Sequence, residues 1–316
     1  MPSNHTNYLN VQMFGEIKMN RQKNKTLAGK RIGILGKGGS GKSTITVLLA
    51  KVLREHGYTV CILDADSTNI GLHRALGFDK SPVSLIDYFG GTIFSGGLVT
   101  CPVDDPTPLP GAEIFLDKLP NKYYVQDQKG IFLLVAGKIG DKGPGAGCDG
   151  PISKITRDLK IYGAGDYPVT LIDLKAGLED PARGVITSLD WAIVVADPTN
   201  ASIQIAVDIK NIVAQIKAGK LPATKHLENP ELVKMANKIF LEAKIKDVLV
   251  VLNRIKDKET ENYMKRELKK KGKEPIGTIR EDPSISLSWL KGKSLESVKA
   301  KIDIEKLIER LETMNI

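Results

Sequence analysis

The chain has 316 residues, 41% hydrophobic residues and a formal net charge of +9, so it can bury one large core or two small ones. No run of about eighteen apolar residues occurs, and the sequence predicts no transmembrane helix and no membrane partner. The N-terminus lacks the basic start and apolar stretch of a secretory signal. Three scattered cysteines do not suit a disulfide scaffold. We therefore expect a reducing, cytoplasmic location.

Basic residues are concentrated near the N-terminus and in the run "MKRELKKKGKE", Met264 to Glu274. Residues 1–28 are polar and aperiodic, which predicts a flexible arm. A solvated surface is the ordinary interpretation of both regions, and a patch for nucleic acid or an acidic partner is the functional one. No aromatic residues lie between the lysines of the run, which disfavours single-strand binding. We expect no nucleic-acid partner.

From Lys30 onward the predicted elements alternate between strand and helix. Apolar runs without alternation are typical of parallel strands buried on both faces, with helices between them. The predicted fold class is therefore α/β, a mostly parallel central sheet with helices on both faces, in a single domain of residues 29–316 with a loop insertion near 99–130. The predicted strands are "RIGILG", "TVCILDAD", "IFLLVAG", "PVTLIDLKAG", "WAIVVADPT", "DVLVVLNR" and "PIGTI".

The last predicted element is the amphipathic helix "IDIEKLIERLETM". Its apolar side chains recur at helical spacing, while its polar face mixes acidic and basic residues. A helix that binds a membrane surface has a basic polar face. We therefore expect this helix to pack on the core.

The sequence "GKGGSGKST", Gly36 to Thr44, fits the phosphate-loop pattern G-x-x-x-x-G-K-[ST] between a predicted strand and a predicted helix. Glycines let backbone N–H groups converge on phosphate oxygens at a helix N-terminus. Lys42 is expected to hold the β- and γ-phosphates and Ser43 to bind Mg²⁺. The predicted nucleotide contacts in this loop are Gly38, Gly39, Ser40, Gly41, Lys42, Ser43 and Thr44.

The early lysine of this loop, Lys37, has no role in an ordinary phosphate loop. The segment "KGGSGKS" resembles the deviant Walker A motif of the ParA/MinD/nitrogenase-iron-protein superfamily of P-loop ATPases. The resemblance implies a homodimer that forms on ATP binding, in which Lys37 crosses to the partner subunit's phosphates. Such a cation acts like an arginine finger, which accelerates GTP hydrolysis by roughly 10³ to 10⁵.

The same resemblance implies further site residues. Asp66 matches the switch I acid that positions the attacking water, and Asp64 matches an acid that supports the loop and the metal. Asp173 in "LIDLKAG" is expected to reach Mg²⁺ through water. Asn253 resembles an adenine contact, and Arg254 beside it is also expected to bind the nucleotide. Because the GTP-reading pattern N-K-x-D is absent there, ATP is favoured.

Two further stretches resemble the accessory ATPases of carbon monoxide dehydrogenase, the CooC family that supports nickel insertion. They are "VTLIDLKAGLEDPARGVITSLDWAIVVADPTNASIQIA" and "LVAGKIGDKGPGAGCDGP". That family has a C-x-C pair, whereas this chain has Cys148 followed by Gly150. Cys148 is therefore a candidate ligand for a transition metal, nickel or zinc, at a dimer interface, or an interface residue without a metal. A four-iron cluster is disfavoured because Asp180 stands where the iron protein has its second cysteine.

These motifs predict an ATP-dependent dimeric switch ATPase that acts in the maturation of a nickel/iron metalloenzyme such as carbon monoxide dehydrogenase, with that enzyme as its client. The alternative is a ParA/MinD-like positioning ATPase that binds DNA, a membrane or another protein. An iron–sulfur reductase component is a third, weaker alternative. The expected cofactors are ATP and Mg²⁺.

Overall fold

The structure, a computed structural model, describes residues 25–139, 148–163 and 166–314. Its centre is an eight-stranded sheet in the order β10-β9-β8-β1-β7-β2-β5-β4, and β3 and β6 form a separate parallel pair. The strands are β1 (Arg31–Gly36), β2 (Val60–Asp64), β3 (Glu113–Phe115), β4 (Val125–Gln126), β5 (Ile131–Val135), β6 (Lys160–Tyr162), β7 (Val169–Asp173), β8 (Trp191–Ala196), β9 (Asp247–Ile255) and β10 (Pro275–Arg280).

Seven strands of the large sheet run parallel, and only the edge strand β4 is antiparallel to its neighbour β5. β2, β7 and β8 are buried along their whole length and β1 is buried from Ile32 onward, because helices cover both faces of the sheet. This burial explains their unbroken apolar sequences. In the sheet, β1 lies between β7 and β8, and the strand order reverses at β1. In such sheets ligands bind in the crevice at the carboxyl ends of strands where the order reverses.

The helices form a layer on each face of the sheet. Ile34 and Ile62 point into one hydrophobic cluster, and their neighbours Leu35 and Leu63 point into the other. The helices are α1 (Lys42–Glu55), α2 (Leu72–Leu76), α3 (Leu85–Tyr88), α4 (Gly150–Asp158), α5 (Glu179–Ala182), α6 (Asn200–Lys217), α7 (Pro230–Leu241), α8 (Lys258–Lys270), α9 (Pro283–Leu290) and α10 (Val298–Thr313). The predicted fold class is confirmed.

The C-terminal helix packs on the core, as its pattern predicts. Ile304, Leu307, Ile308 and Leu311 of α10 are each at most 1% exposed, in the same cluster as the apolar side chains of α1. The helix begins at Val298, four residues before the predicted start. Ser297 caps it, since its hydroxyl accepts the Ala300 N–H at 3.0 Å. Among the described residues, no helix has the length and apolar character needed to cross a bilayer.

Two predicted boundaries differ from the structure. The predicted arm includes residues 25–28, yet Leu27 is fully buried and the Gly29 N–H donates to the Tyr167 carbonyl, so these residues belong to the folded unit. The rest of the predicted arm, residues 1–24, lies outside the described residues. The segment 99–130, expected to be a loop, contains β3 and β4, which pair with β6 and β5. Strands this short leave little periodicity to detect.

Candidate nucleotide site

The phosphate loop lies between β1 and α1, at the carboxyl edge of the sheet. Only glycine fits at two positions of this loop, Gly36 and Gly41. Both have a positive φ, and a side chain at either position would collide with a neighbour. A Cβ on Gly36 would lie 2.5 Å from the Val195 carbonyl oxygen, and one on Gly41 would lie 2.3 Å from the Asn253 side-chain nitrogen. The loop can therefore curl tightly over a phosphate while it packs against β8 and β9.

This loop forms one wall of a cavity of about 610 Å³. The opposite wall comes from the C-terminal ends of β9 and β10, from the two residues after β10 and from α9. Lys42 is 7% exposed and opens α1 beside the cavity, which suits a cation that contacts phosphates. The predicted residues that line the cavity are Gly38, Gly39, Gly41, Lys42, Ser43, Thr44, Asp66, Asn253 and Arg254. The structure thus brings most of the predicted site together.

A hydroxyl and a carboxylate meet where a magnesium ion is expected. Ser43 Oγ donates to Asp173 Oδ2 at 2.6 Å, and Asp173 is fully buried at the end of β7. Burial raises the Asp173 pKa to about 6, although the hydrogen bond from Ser43 and the charge of Lys42 oppose this. Oxygen ligands of this kind are those that Mg²⁺ prefers. The residues therefore fit the ion, and Ser43 and Asp173 are the side chains that would hold it.

The two acids after β2 have different surroundings. Asp66 lines the cavity, and its Oδ1 accepts the Thr68 N–H at 3.0 Å and the Thr68 hydroxyl at 2.7 Å, which orients the carboxylate. Asp64 is directed instead to Lys138, whose Nζ lies 2.7 Å from its Oδ2. Burial raises the Asp64 pKa to about 7. We therefore interpret Asp64 as a support for the Asp66 loop and not as a metal ligand.

Sequence reasoning missed the role of Lys138. Its ammonium group also donates to the Asp66 backbone carbonyl at 2.6 Å, so one cation ties the end of β5 to the loop after β2. The residue stands in the run "VAGKIG", and its position just after a buried strand was the available signal. Asn69 was also missed, although its side-chain amide donates to Ser43 Oγ at 2.7 Å.

Lys37 lies at the outer side of the loop with one third of its side chain exposed. Its Nζ is 3.7 Å from Asp197 Oδ2, just after β8. Burial opposes ionisation of Asp197, but hydrogen bonds from Ser202 and Thr199 outweigh it and lower the pKa of Asp197. Lys37 is therefore held by a carboxylate of its own subunit in this structure.

Two residues on the side of the cavity where adenine is expected hold the phosphate loop in place. Asn253 Nδ2 donates to the Ser40 carbonyl at 2.8 Å, and Arg254 Nη1 donates to the Gly39 carbonyl at 2.8 Å. Arg254 has φ 58°, the one positive φ of a non-glycine residue among the described residues. Such a conformation persists only where surrounding contacts impose it. Both side chains line the cavity and therefore link its base side to its phosphate side.

Trp289 on α9 is a further side chain of this site. Its indole N–H donates to Thr44 Oγ1 at 2.9 Å, and the ring lines the cavity together with Ile285. These two apolar side chains give the cavity a face suited to an aromatic base. The bond connects α9 to the first turn of α1.

Cys148 immediately precedes Asp149 and α4, and it is partly exposed. The Gly150 N–H donates to its sulfur at 3.4 Å. Residues 140–147 of the quoted glycine-rich segment lie outside the described residues. Cys61 is buried in β2 and is a core residue. Within the described ranges, no group of three or more His, Cys, Asp or Glu side chains is placed to hold a metal ion.

Comparison with known proteins agrees with this geometry. Residues 34–295 match the model of the CobQ/CobB/MinD/ParA nucleotide-binding domain. The chain belongs to this family. It is thus a P-loop nucleotide-binding protein of the MinD/ParA type, and the superfamily resemblance of its phosphate loop is confirmed.

Two known proteins are similar to this chain over more than two thirds of their own length. An uncharacterized ATP-binding protein of Methanocaldococcus jannaschii is 39% identical over 184 residues, which cover 58% of this chain and 72% of the relative. The carbon monoxide dehydrogenase accessory protein CooC of Rhodospirillum rubrum is 29% identical over 197 residues, which cover 58% of this chain and 68% of CooC. The predicted relationship to CooC is therefore confirmed as a similarity.

Solved structures of the family have the same fold. MinD in the MinC–MinD cell division complex of Aquifex aeolicus superposes with a TM-score of 0.58 at 20% identity, and the match covers 91% of this chain and 97% of that one. MinD of Pyrococcus horikoshii, solved with Mg-ADP, superposes with a TM-score of 0.56 at 20% identity and covers 90% and 96%. At these identities the likeness establishes the fold alone.

Proposed function

We propose that this chain is an ATP-hydrolysing switch that closes into a homodimer when ATP binds and acts in the maturation of a metalloenzyme. The observation that carries the proposal is Lys37, a partly exposed cation beside the phosphate loop whose contact with Asp197 is long, at 3.7 Å. An ion pair this long, with its cation one third exposed to solvent, holds the lysine weakly. Lys37 can therefore leave Asp197 for the phosphates of a second subunit at little cost.

Within one subunit, the other residues have distinct proposed roles. Lys42 neutralises the β- and γ-phosphates, and Ser43 and Asp173 would hold a Mg²⁺ ion, which would neutralise further phosphate charge. Asp66, held in place by Thr68, orients the attacking water. Lys37 of each subunit then pairs with the phosphates bound by the other subunit and adds further positive charge there. Hydrolysis removes the γ-phosphate and with it the reason for the dimer to stay closed.

The maturation role has two supports. The first is the similarity to CooC, which is named for its part in carbon monoxide dehydrogenase. The second is Cys148, a partly exposed thiol at the carboxyl edge of the sheet, where a metal could be received. The proposed client is a nickel/iron metalloenzyme such as carbon monoxide dehydrogenase.

A positioning ATPase that binds DNA has less support. The basic run on α8 should present unpaired lysines to a phosphate backbone. Instead, several of these lysines lie near acidic partners on or next to the same helix. The pairs are Lys265 with Glu261 at 2.5 Å, Lys269 with Glu274 at 3.1 Å and Lys270 with Glu267 at 2.7 Å.

The reductase alternative is also less favoured. Asp180 is 5% exposed and its carboxylate accepts hydrogen bonds from the Ser153 hydroxyl at 2.9 Å and the Lys175 N–H at 3.1 Å. This carboxylate has a structural role where a cluster would need a thiolate.

The proposed function is tested by light scattering and phosphate release on the purified chain, with ADP, with ATP and with a non-hydrolysable ATP analogue. We expect a monomer with ADP, a dimer with the analogue and Mg²⁺, and slow turnover with ATP. Binding to a duplex DNA fragment at physiological salt is expected to be undetectable. A chain that stays monomeric with the analogue, or that binds DNA tightly when ATP is present, would contradict the proposal.

A further inference from the structure

A groove of about 530 Å³ runs along the outermost strand of the large sheet, β10. This strand has β9 as its neighbour on one side and no described strand on the other. The helices that flank the groove, α8 and α10, cover opposite faces of the sheet, since Met264 of α8 packs in one hydrophobic cluster and Leu307 of α10 packs in the other. The edge of β10 therefore lies open between two helices.

Three residues of β10 direct backbone groups out of the sheet. Arg310 Nη1 on α10 donates to the Ile276 carbonyl at 2.6 Å. The Arg280 N–H donates to Asp303 Oδ2 at 3.0 Å. Residues two apart in a strand direct their backbone groups to the same side, so Thr278 points its N–H and its carbonyl into the groove as well. No hydrogen bond from the described residues reaches either group, which leaves the middle of this edge free to pair with another strand.

Side chains of α10, and not a strand, cover the groups on either side of Thr278. Arg310 is exposed to solvent, so its bond to the Ile276 carbonyl can be exchanged for a bond from an incoming backbone N–H. Asp303 is buried and also binds the Arg280 guanidinium at 2.6 Å, so this end of the edge stays closed. An incoming segment therefore has the outward groups of Ile276 and Thr278 available to it.

The charge of the groove indicates which partner it fits. The two lysines of α8 that line it, Lys258 and Lys265, share the single carboxylate of Glu261, at 3.0 and 2.5 Å. Lys306 of α10 is exposed. The basic side chains of the lining are Lys256, Lys258, Lys265, Arg280, Lys306 and Arg310, and the acidic ones are Asp257, Glu261 and Asp303. Six positive charges against three negative ones favour an acidic partner.

We propose that this groove binds an extended acidic segment of a partner protein, which adds a strand to the sheet beside β10. Backbone hydrogen bonds to Ile276 and Thr278 hold the segment, and its carboxylates face the basic side chains of α8 and α10. Lys265 belongs to the lysine run of α8, so part of that run gains a function. Arg280 lines both the groove and the nucleotide cavity, and the two sites therefore adjoin. The inference does not depend on the dimer of the proposed function.

The test uses the full chain and a fluorescently labelled peptide of about eight residues in which glutamate and valine alternate, a length that spans an exposed strand edge. Fluorescence anisotropy at physiological salt measures its affinity, and a peptide with lysine in place of glutamate is the control for charge. We expect saturable binding of the acidic peptide and no binding of the basic one. Proline in place of a central valine removes a backbone N–H from the peptide and should weaken binding by about threefold to tenfold, the equivalent of one lost hydrogen bond.

Variants of the chain test the same contacts from the other side. Thr278→Pro removes the free N–H, and an edge strand tolerates proline where its N–H faces solvent. This variant should also bind the acidic peptide about threefold to tenfold more weakly, whereas Thr278→Val keeps the N–H and should bind normally. Lys306→Glu should weaken binding by about tenfold or more, because like charges then face each other. Lys234→Glu on α7, far from the groove in sequence, is the matched control for the change of charge.

The inference is overturned if the acidic peptide does not bind, which would show that the side chains of α10 only protect the edge. It is also overturned if the proline peptide and Thr278→Pro both retain full affinity, which would leave attraction between charges as the whole effect. A single-stranded DNA oligomer that binds more tightly than the peptide, and is weakened by Lys306→Glu, would assign the groove to nucleic acid instead. If circular dichroism shows that Thr278→Pro does not fold, the proline peptide with the wild-type chain decides between these outcomes.

Discussion

At the scale of single residues, the site separates groups that bind the nucleotide from groups that act on it. Lys42 and Ser43 are fixed by the first turn of α1, and Asp173 is fixed at the end of β7. Asp66 lies on a loop, where Thr68 and Lys138 hold it. Substitutions of the first group should therefore affect binding, and substitutions of Asp66 should affect turnover.

Lys42→Ala should abolish detectable ATP binding. The phosphates lose the buried cation that opens α1, and charge-assisted hydrogen bonds are roughly twice as strong as neutral ones. Isothermal titration calorimetry measures the effect, with the surface variant Lys234→Ala as the control. Near-normal affinity in Lys42→Ala would refute the assignment of the phosphate loop.

Asp66→Asn should leave ATP and Mg²⁺ binding nearly unchanged and lower the hydrolysis rate by about 10²- to 10⁴-fold, the usual contribution of a positioned acid or base. The amide keeps the size of the side chain and its bond with Thr68 but loses the negative charge. Single-turnover phosphate release measures the rate. If turnover is unchanged, another residue positions the water.

At the scale of elements, two helices, α9 and α10, pack against α1. α9 contacts it through Trp289, and α10 packs against it through an apolar face. Both contacts join residues far apart in sequence, since Trp289 and Thr44 are separated by 245 positions. Each can be tested separately.

Trp289→Phe should weaken ATP binding by about threefold to tenfold, the equivalent of one lost hydrogen bond. The phenyl ring keeps the apolar wall but cannot donate to Thr44. In the wild type, ATP should change tryptophan fluorescence. The second tryptophan, Trp191, is 2% exposed in β8 and should not respond. A fluorescence change that persists in Trp289→Phe would show that α9 is not the reporter.

Leu307→Ala on α10 should lower the free energy of unfolding by about 2–5 kcal/mol, as for other large-to-small changes in a core. Leu307 is 1% exposed and lies over Gly277 of β10. Ile302→Ala is the matched control, since Ile302 on the same helix is 43% exposed and should cost much less. Urea unfolding of both variants measures the difference, and equal losses would refute the packing of this helix face.

At the scale of the whole molecule, local patterns and distant contacts explain what the sequence could predict. The phosphate loop, Asp66 and Asp173 follow from short motifs at the ends of buried strands, and the sheet follows from unbroken apolar runs. Trp289 and Lys138 could not be placed in this way. Their partners lie far along the chain, 74 positions for Lys138 and Asp64, and only the folded chain brings them together. The short strands in 99–130 were missed for lack of periodicity.

The proposed switch is a property of two whole molecules, and we expect it to depend on Lys37. Two ATP molecules facing each other across an interface bring like charges together where the dielectric constant is low, which is costly without a compensating cation. The Lys37 side chain is one third exposed and can supply that cation to the partner.

The central claim is tested most directly by light scattering of wild type and Lys37→Ala with the non-hydrolysable ATP analogue and Mg²⁺, alongside calorimetry of ATP binding. The account predicts that both bind the nucleotide, that the wild type dimerises and that Lys37→Ala remains a monomer. Lys234→Ala should behave as the wild type. A Lys37→Ala variant that dimerises as well as the wild type would contradict the switch mechanism.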